Sequence, residues 1–305
     1  MPNQQNSRCK LLVLDIDNTV FDWVTYYVHS YSALLDRVSL AIGVGWDELA
    51  EQSKVVFEKN GSIEFPFVIQ ELPAVNNFFK TDIDKMLDLA VRPARDEFLK
   101  MADLHLKPYA GVEIILNQIK QSFPTIPVVA LTDAPRYVAM WKLNKLGLLH
   151  KFDAVYGLPD PKIPVCDINR RVKVDPDILL KHLQHNRFGF AGKIRNLPDD
   201  YEKPGVRGLK TVLMDYDLDE SESLRKSVLW IGDNLRKDVG LGNKLGVSTG
   251  WAEYGTQIEK KHLDCLAKFS PPMNIHKNVY LSTSSPDAPK PDFVLKEFAD
   301  ILSYL

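Results

Sequence analysis

Two carboxylates, Asp15 and Asp17, stand two residues apart directly after the apolar run Leu11-Leu-Val-Leu14, and Thr19 follows two residues later. If the chain stays extended beyond Leu14, side chains two apart share a face, so the two acids point the same way. Carboxylates held that close repel and shift each other's pKa unless a cation joins them. Hard divalent cations such as Mg²⁺ take oxygen ligands, which makes a metal site at this chain position the natural chemistry. The competing reading is an acidic turn in which Asp17 or Thr19 caps a following helix.

Three further segments carry groups suited to the same chemistry. Val128-Val-Ala-Leu131 runs into Thr132-Asp133, placing a hydroxyl and a backbone N–H where they could hold a phosphate oxygen; a helix N-cap before Pro135 would look similar. Val228-Leu-Trp-Ile231 runs into Gly232-Asp233, with Asp238 five residues after Asp233. Asp233 is placed to reach a metal held by Asp15, and Asp238 to orient it from behind. The plain alternative is a turn and a helix with an acidic first turn. A phosphorylated carboxylate beside a metal also calls for a fixed cation. Lys203, at the start of Lys203-Pro204, is one candidate, and Lys173 in Lys-Val-Asp-Pro-Asp is the other.

These segments need a sheet to present them together. The run 11–14 reads as a buried strand, with further strands at Pro127–Leu131, Phe152–Tyr156, Val228–Ile231 and Val247–Trp251. Helical patterns fall at Gly111–Gln121, Pro135–Leu146, from about Gly205, and at Arg236–Leu245. Strand–helix alternation predicts an α/β fold with a doubly wound parallel sheet, whose ligands sit at the strands' C-terminal ends. Residues 22–105 read as mostly helical, with helices at Asp22–Ile42, Trp46–Glu58 and Ile83–Leu104. The expected division is a Rossmann-like catalytic core at 9–21 and 106–305 and an inserted α-helical cap domain at 22–105. A Pro-, Asp- and base-rich insertion at about 157–202 breaks the rhythm, with one helix expected at Pro176–His185. The stretch 270–291 reads as a loop, and Phe293–Leu305 as a short strand or turn and a helix.

The bulk properties set bounds. The chain has 305 residues, and 38 Lys and Arg against 40 Asp and Glu leave a net charge of −2. That balance gives no reason to expect nucleic acid or an anionic membrane as a partner. Residues 161–197 are locally basic, with eight Lys or Arg against three Asp, and a solvated loop is the simplest reading. Cys9, Cys166 and Cys265 are far apart and odd in number, which suits reduced thiols in a cytoplasmic protein. No signal-like or membrane-spanning run occurs.

Taken together, the four segments resemble the haloacid dehalogenase-like (HAD) hydrolases. That superfamily carries, in order, a strand ending in Asp-x-Asp-x-Thr, a strand ending in Ser or Thr, a later Lys, and a strand ending in Gly-Asp with a trailing Asp. The likeness extends over residues 9–22, 107–156, 203–256 and 292–304. Lys203-Pro-Gly-Val-Arg-Gly-Leu209 is more similar to the family's lysine segment than Lys173 is, and Trp251-Ala-Glu-Tyr-Gly255 is also familiar. The resemblance implies a phosphomonoesterase acting on a small phosphorylated metabolite. Asp15 would be the nucleophile that takes up the phosphoryl group. Asp17 would protonate the leaving oxygen and then activate water. Mg²⁺ would be held by Asp15, the backbone carbonyl of Asp17, and Asp233, with Thr132, Asp133 and Lys203 around the phosphate. Asp133 stands where a neutral amide is commoner in the family.

Dehalogenases of the superfamily lack a carboxylate at the position of Asp17, whereas phosphatases and phosphomutases keep it. A phosphomutase or phosphotransferase with the same intermediate is the first alternative, and a non-catalytic regulatory binder on this fold the second. The helical block would close over the site. Phe21, Trp23, Tyr26, Tyr27 and Tyr31 suit its core or a pocket lining, and Arg92 and Arg95 read as surface side chains. Substrate identity and oligomeric state are open at this level.

Overall fold

The computed structural model describes residues 9–166, 171–174, 184, 186–271 and 287–305. Its strands are Leu11–Leu14 (β1), Val128–Pro135 (β2), Ala154–Leu158 (β3), Val165–Cys166 (β4), Arg171–Val172 (β5), Lys193–Asn196 (β6), Val228–Gly232 (β7), Ser248–Ala252 (β8) and Phe293–Leu295 (β9). Seven of them make one sheet in the order β6-β3-β2-β1-β7-β8-β9, and β4 and β5 pair separately, antiparallel. Every pairing in the large sheet is parallel. The chain builds outward from β1 through β2 and β3 to β6, then returns across β1 to β7. That reversal opens a crevice at the C-terminal ends of β1 and β7, where an open α/β sheet accepts a ligand.

The two-residue period of β1 divides the interior. Leu12 and Leu14 join one apolar cluster with Ile115, Leu116, Ala139 and Leu143, while Leu11 and Val13 join another with Leu209, Val212 and Leu241. Helices Val112–Ser122 and Arg136–Lys145 therefore cover one face, and Arg207–Asp215 and Gly240–Leu245 the other. All four residues of β1 are fully buried, each worth about 1.5–3 kcal/mol of apolar burial. The doubly wound architecture expected from the sequence is the one observed.

Residues 22–105 contain helices and no strand, with Trp23–Ile42 the longest. Asp22 caps that helix, its Oδ1 accepting from the Thr25 amide at 2.9 Å. Tyr27 and Tyr31 pack on Phe269 of helix Lys260–Phe269, so the helical block leans on the chain's later part.

Several elements differ from the sequence expectation. The single helix expected at Ile83–Leu104 is a short helix, Ile83–Met86, a π turn, Leu87–Val91, and a helix, Arg92–His105. Pro93 lacks the amide that an unbroken α-helix would use there. Helix Arg236–Leu245 likewise begins as a π turn, Leu235–Val239, and the C-terminal helix is 3₁₀, Phe298–Tyr304. Within the span read as an insertion, β6 is the edge of the large sheet; Lys193-Ile-Arg-Asn196 has no apolar run because an edge strand keeps most of its side chains in water. The helix expected at Pro176–His185 and most of the loop at 270–291 lie outside the described residues. Cys9 and Cys265 are free thiols. Among the described residues, no helix is long and apolar enough to cross a membrane.

Candidate active site

The end of β1 delivers Asp15 into the crevice. Its Oδ1 accepts from the Ile16 amide at 2.8 Å and its Oδ2 meets Lys203 Nζ at 2.8 Å, so the carboxylate plane is held from two sides. Beyond it, Asn18 takes the left-handed conformation (φ 55°), which asparagine tolerates, and its Oδ1 accepts from the Trp23 amide at 3.0 Å. This turn carries Asp17 over the crevice and feeds the first helix.

Asp233 and Asp238 come from the loop after β7. One carboxylate oxygen from each of Asp15, Asp233 and Asp238 lies within 4.8 Å of the others. Trp251 Nε1 donates to the Asp233 carbonyl at 2.7 Å, tying the loop to the end of β8. Asp238 accepts from Lys203 Nζ through Oδ1 at 2.8 Å and from the Asn234 amide through Oδ2 at 3.0 Å. Two glycines make room for these approaches. A Cβ at Gly232 would collide with the Asp238 carboxylate, and one at Gly255 with the Asn18 carbonyl oxygen.

Thr132 and Asp133 extend from β2 beside this cluster. Thr132 Oγ1 accepts from the Ala134 amide at 3.1 Å. The Asp133 side chain is engaged with protein groups: Oδ1 accepts from the Lys203 amide at 2.9 Å and Oδ2 from Lys237 Nζ at 2.8 Å. It thus anchors the backbone of Lys203. Lys173, the rival lysine, lies elsewhere, its Nζ donating to Asn76 Oδ1 at 2.9 Å. The structure therefore brings together Asp15, Asp17, Thr132, Asp133, Lys203, Asp233 and Asp238, which line one cavity of about 110 Å³.

Besides Lys237, two more site residues carried no signal in the sequence. Lys142, fully buried on helix Arg136–Lys145, donates to Asp17 Oδ1 at 2.6 Å and to Glu64 Oε1 at 2.9 Å. Glu64 comes from the helical block, where Trp23 Nε1 also donates to it at 2.9 Å. A lysine in an ordinary helical pattern reads as solvated; its partners lie far along the chain.

Electrostatics set the states of these groups. Burial pushes the Asp15 carboxyl up to about 7, against the pull of Lys203 and with help from Asp238 and Asp17. Burial also raises Asp17 to about 6, opposed by Lys142 and reinforced by Glu64. Asp233 stands well above the ordinary carboxylate range because of burial and the nearby charges of Asp238 and Asp15. Burial acts on Asp133 in the same sense, yet Lys237 and Lys203 outweigh it and hold this acid below its usual value. Three clustered carboxylates against one lysine leave an excess of negative charge. A divalent cation with a preference for oxygen matches that donor set.

No protein-family model and no curated protein sequence matches the chain. Solved structures do. The chain is similar to a 2-haloacid dehalogenase from Pseudomonas syringae pv. tomato DC3000, at 15% identity and a TM-score of 0.54, with 97% of each chain covered. It is also similar to a HAD phosphatase from Thermococcus onnurineus, at 15% identity and a TM-score of 0.52, with 96% of each chain covered. One is a dehalogenase and the other a phosphatase, so the likeness speaks to architecture and leaves the chemistry to the site. With a doubly wound parallel sheet, an acidic cluster at the ends of β1 and β7 and these structural neighbours, the chain has the haloacid dehalogenase-like fold.

Proposed function

We propose that this protein is a Mg²⁺-dependent phosphomonoester hydrolase that works through a phosphorylated Asp15. The observation that carries the reading is the separate holding of two carboxylates: Lys203 fixes Asp15 while Lys142 fixes Asp17. One acid is oriented to form a bond, and the other keeps a proton within reach of the same cavity.

Asp15 Oδ attacks the substrate phosphorus as the bond from phosphorus to the alcohol oxygen breaks. Asp17 gives its proton to that departing oxygen. In the second half, Asp17 takes a proton from the water that attacks phosphorus, and inorganic phosphate leaves as Asp15 is restored. A pKa of about 6 suits Asp17 to both transfers near neutral pH. Lys203 and the Thr132 hydroxyl, which line the same cavity, would hold phosphoryl oxygens, and Asp133 keeps the Lys203 backbone in position. Asp15 and Asp233 would hold Mg²⁺ together with the Asp17 carbonyl, with Asp238 behind them. When bound, the ion would supply positive charge to offset the negative charge of the phosphoryl group.

The helical block at 22–105 serves in this reading as a cap, reaching the site through Glu64 and excluding bulk water. The substrate is a small phosphomonoester, and the free thiols suit a cytoplasmic setting. The test is release of phosphate from an aryl phosphate with Mg²⁺. Wild type should be active and lose activity in EDTA, and Asp15→Asn should be inactive. Equal activity of wild type and Asp15→Asn would refute the proposal.

A further inference from the structure

A second cavity, about 170 Å³, adjoins the first at Glu64, which lines both. It is lined mainly by apolar and aromatic side chains, among them Tyr26, Phe65, Phe98 and Trp141. Its size exceeds the ~150 Å³ apolar cavity known to take up benzene, so one aromatic ring fits. Three of its polar groups are uncommitted. The Tyr26 hydroxyl, the Arg95 guanidinium and the Gln70 side-chain amide make no hydrogen bond or ion pair among the described residues, and all three line the cavity. Arg95, read from sequence as a surface side chain, is half-buried. Burial, and after it the charges of Glu64 and Asp17, hold the Tyr26 hydroxyl protonated. An apolar cavity with one free phenol, one free amide and one free cation matches a ring bearing an anionic substituent.

We propose that this cavity receives the organic part of the substrate, and that the substrate class is arylalkyl phosphomonoesters whose ring carries a carboxylate. The proposal rests on the phosphatase reading above. The phosphate occupies the acidic cavity at Asp15, the ring passes Glu64 into the aromatic cavity, and the carboxylate meets Arg95. Stacking against Trp141 or the tyrosines rewards a flat ring over a flexible polyol. A glycerol-sized group would leave the cavity unfilled.

The test uses two readouts. The first compares kcat/KM for 4-carboxybenzyl phosphate, benzyl phosphate and glycerol 1-phosphate in wild type, Val138→Trp and Arg95→Gln. Val138 lines the aromatic cavity only, so a tryptophan there fills it without touching the acidic cluster. The expected order in wild type is carboxybenzyl over benzyl over glycerol, each step about tenfold. Val138→Trp should remove the preference for rings and leave glycerol phosphate within twofold, while Arg95→Gln should erase only the gain from the carboxylate. The second readout is calorimetric binding of 4-carboxybenzylphosphonate, which cannot be hydrolysed at its P–C bond. Binding that weakens at least tenfold in Val138→Trp supports the pocket even if no ester is hydrolysed, in which case the phosphatase reading alone fails. Phosphonate binding unchanged by Val138→Trp, or equal kcat/KM for glycerol and benzyl phosphates in wild type, overturns the substrate class while leaving hydrolysis at Asp15 intact.

Discussion

Lys142 Nζ lies 2.6 Å from Asp17 Oδ1, and the same ammonium reaches Glu64 Oε1 at 2.9 Å. One fully buried cation therefore joins the proposed acid–base group to the helical block. Losing one member of a buried ion pair costs about 3–5 kcal/mol, because the partner charge stays buried and unpaired. Lys142→Met should destabilise the protein by that amount in urea unfolding. Adding Glu64→Gln should return part of the loss, since it removes one of the stranded charges. A Lys142→Met variant as stable as wild type would count against this bridge.

Mg²⁺ should stabilise the protein in a pH-dependent way. Asp15 is pushed up to about 7 and Asp233 also stands well above its ordinary value, so the metal-free folded chain keeps protons that the unfolded chain gives up above its ordinary carboxylate range near ~4. The folded state binds more protons there, and its stability falls as pH rises from about 4 through Asp15's folded value of about 7. Asp233→Asn should flatten that fall in metal-free protein. The rise in Tm on adding Mg²⁺ should be larger at about pH 8 than at about pH 5, since the ion competes with protons for the same oxygens. A rise independent of pH would contradict the carboxylate site.

Asp133 behaves in the opposite sense. Lys237 and Lys203 hold it below its ordinary value, so its stabilisation is complete above about 4 and is lost as pH falls through its lower folded value. Asp133→Asn should cost about 1–3 kcal/mol at neutral pH, the usual cost of leaving buried partners unsatisfied. The gap to wild type should narrow in acid. Urea unfolding over a pH series measures both.

Gly232→Ala should disturb the site through Asp238. The added methyl has no room beside that carboxylate, so the side chain must move away from Lys203 and the Asn234 amide. Overpacking of this kind costs about 1–3 kcal/mol. The expected result is lower stability together with a weaker Mg²⁺ effect on Tm.

Much of the sheet was legible because its strands are continuous apolar runs ending in polar residues, as Leu11–Leu14 before Asp15 and Val228–Ile231 before Gly232 show. The same pattern pointed to Asp15, Asp233 and Asp238 as neighbours, since parallel strands bring their C-terminal ends together. Strand β6 was not legible, being short, exposed and charged. Lys142 and Glu64 were hidden for another reason: each sits in an ordinary local pattern, and only the tertiary fold brings them to Asp17. Asp133 was expected to offer phosphate its backbone N–H, and what the sequence did not indicate is that its side chain binds Lys203 and Lys237. Lys203, favoured over Lys173 by the resemblance of its segment, is the lysine the fold takes to Asp15, while Lys173 reaches Asn76.

The most direct measurement is the chemical state of Asp15 during turnover. Wild type and Asp17→Asn would be mixed with a phosphomonoester and Mg²⁺, quenched in acid within a turnover, and the peptide containing Asp15 analysed by mass spectrometry. The account predicts a phosphoryl group on Asp15 in wild type, and a steady-state rate for Asp17→Asn lower by about 10²–10⁴-fold with loss of the acid–base group. Phosphate release at the wild-type rate with Asp15 never modified, or in an Asp15→Asn variant, would contradict it.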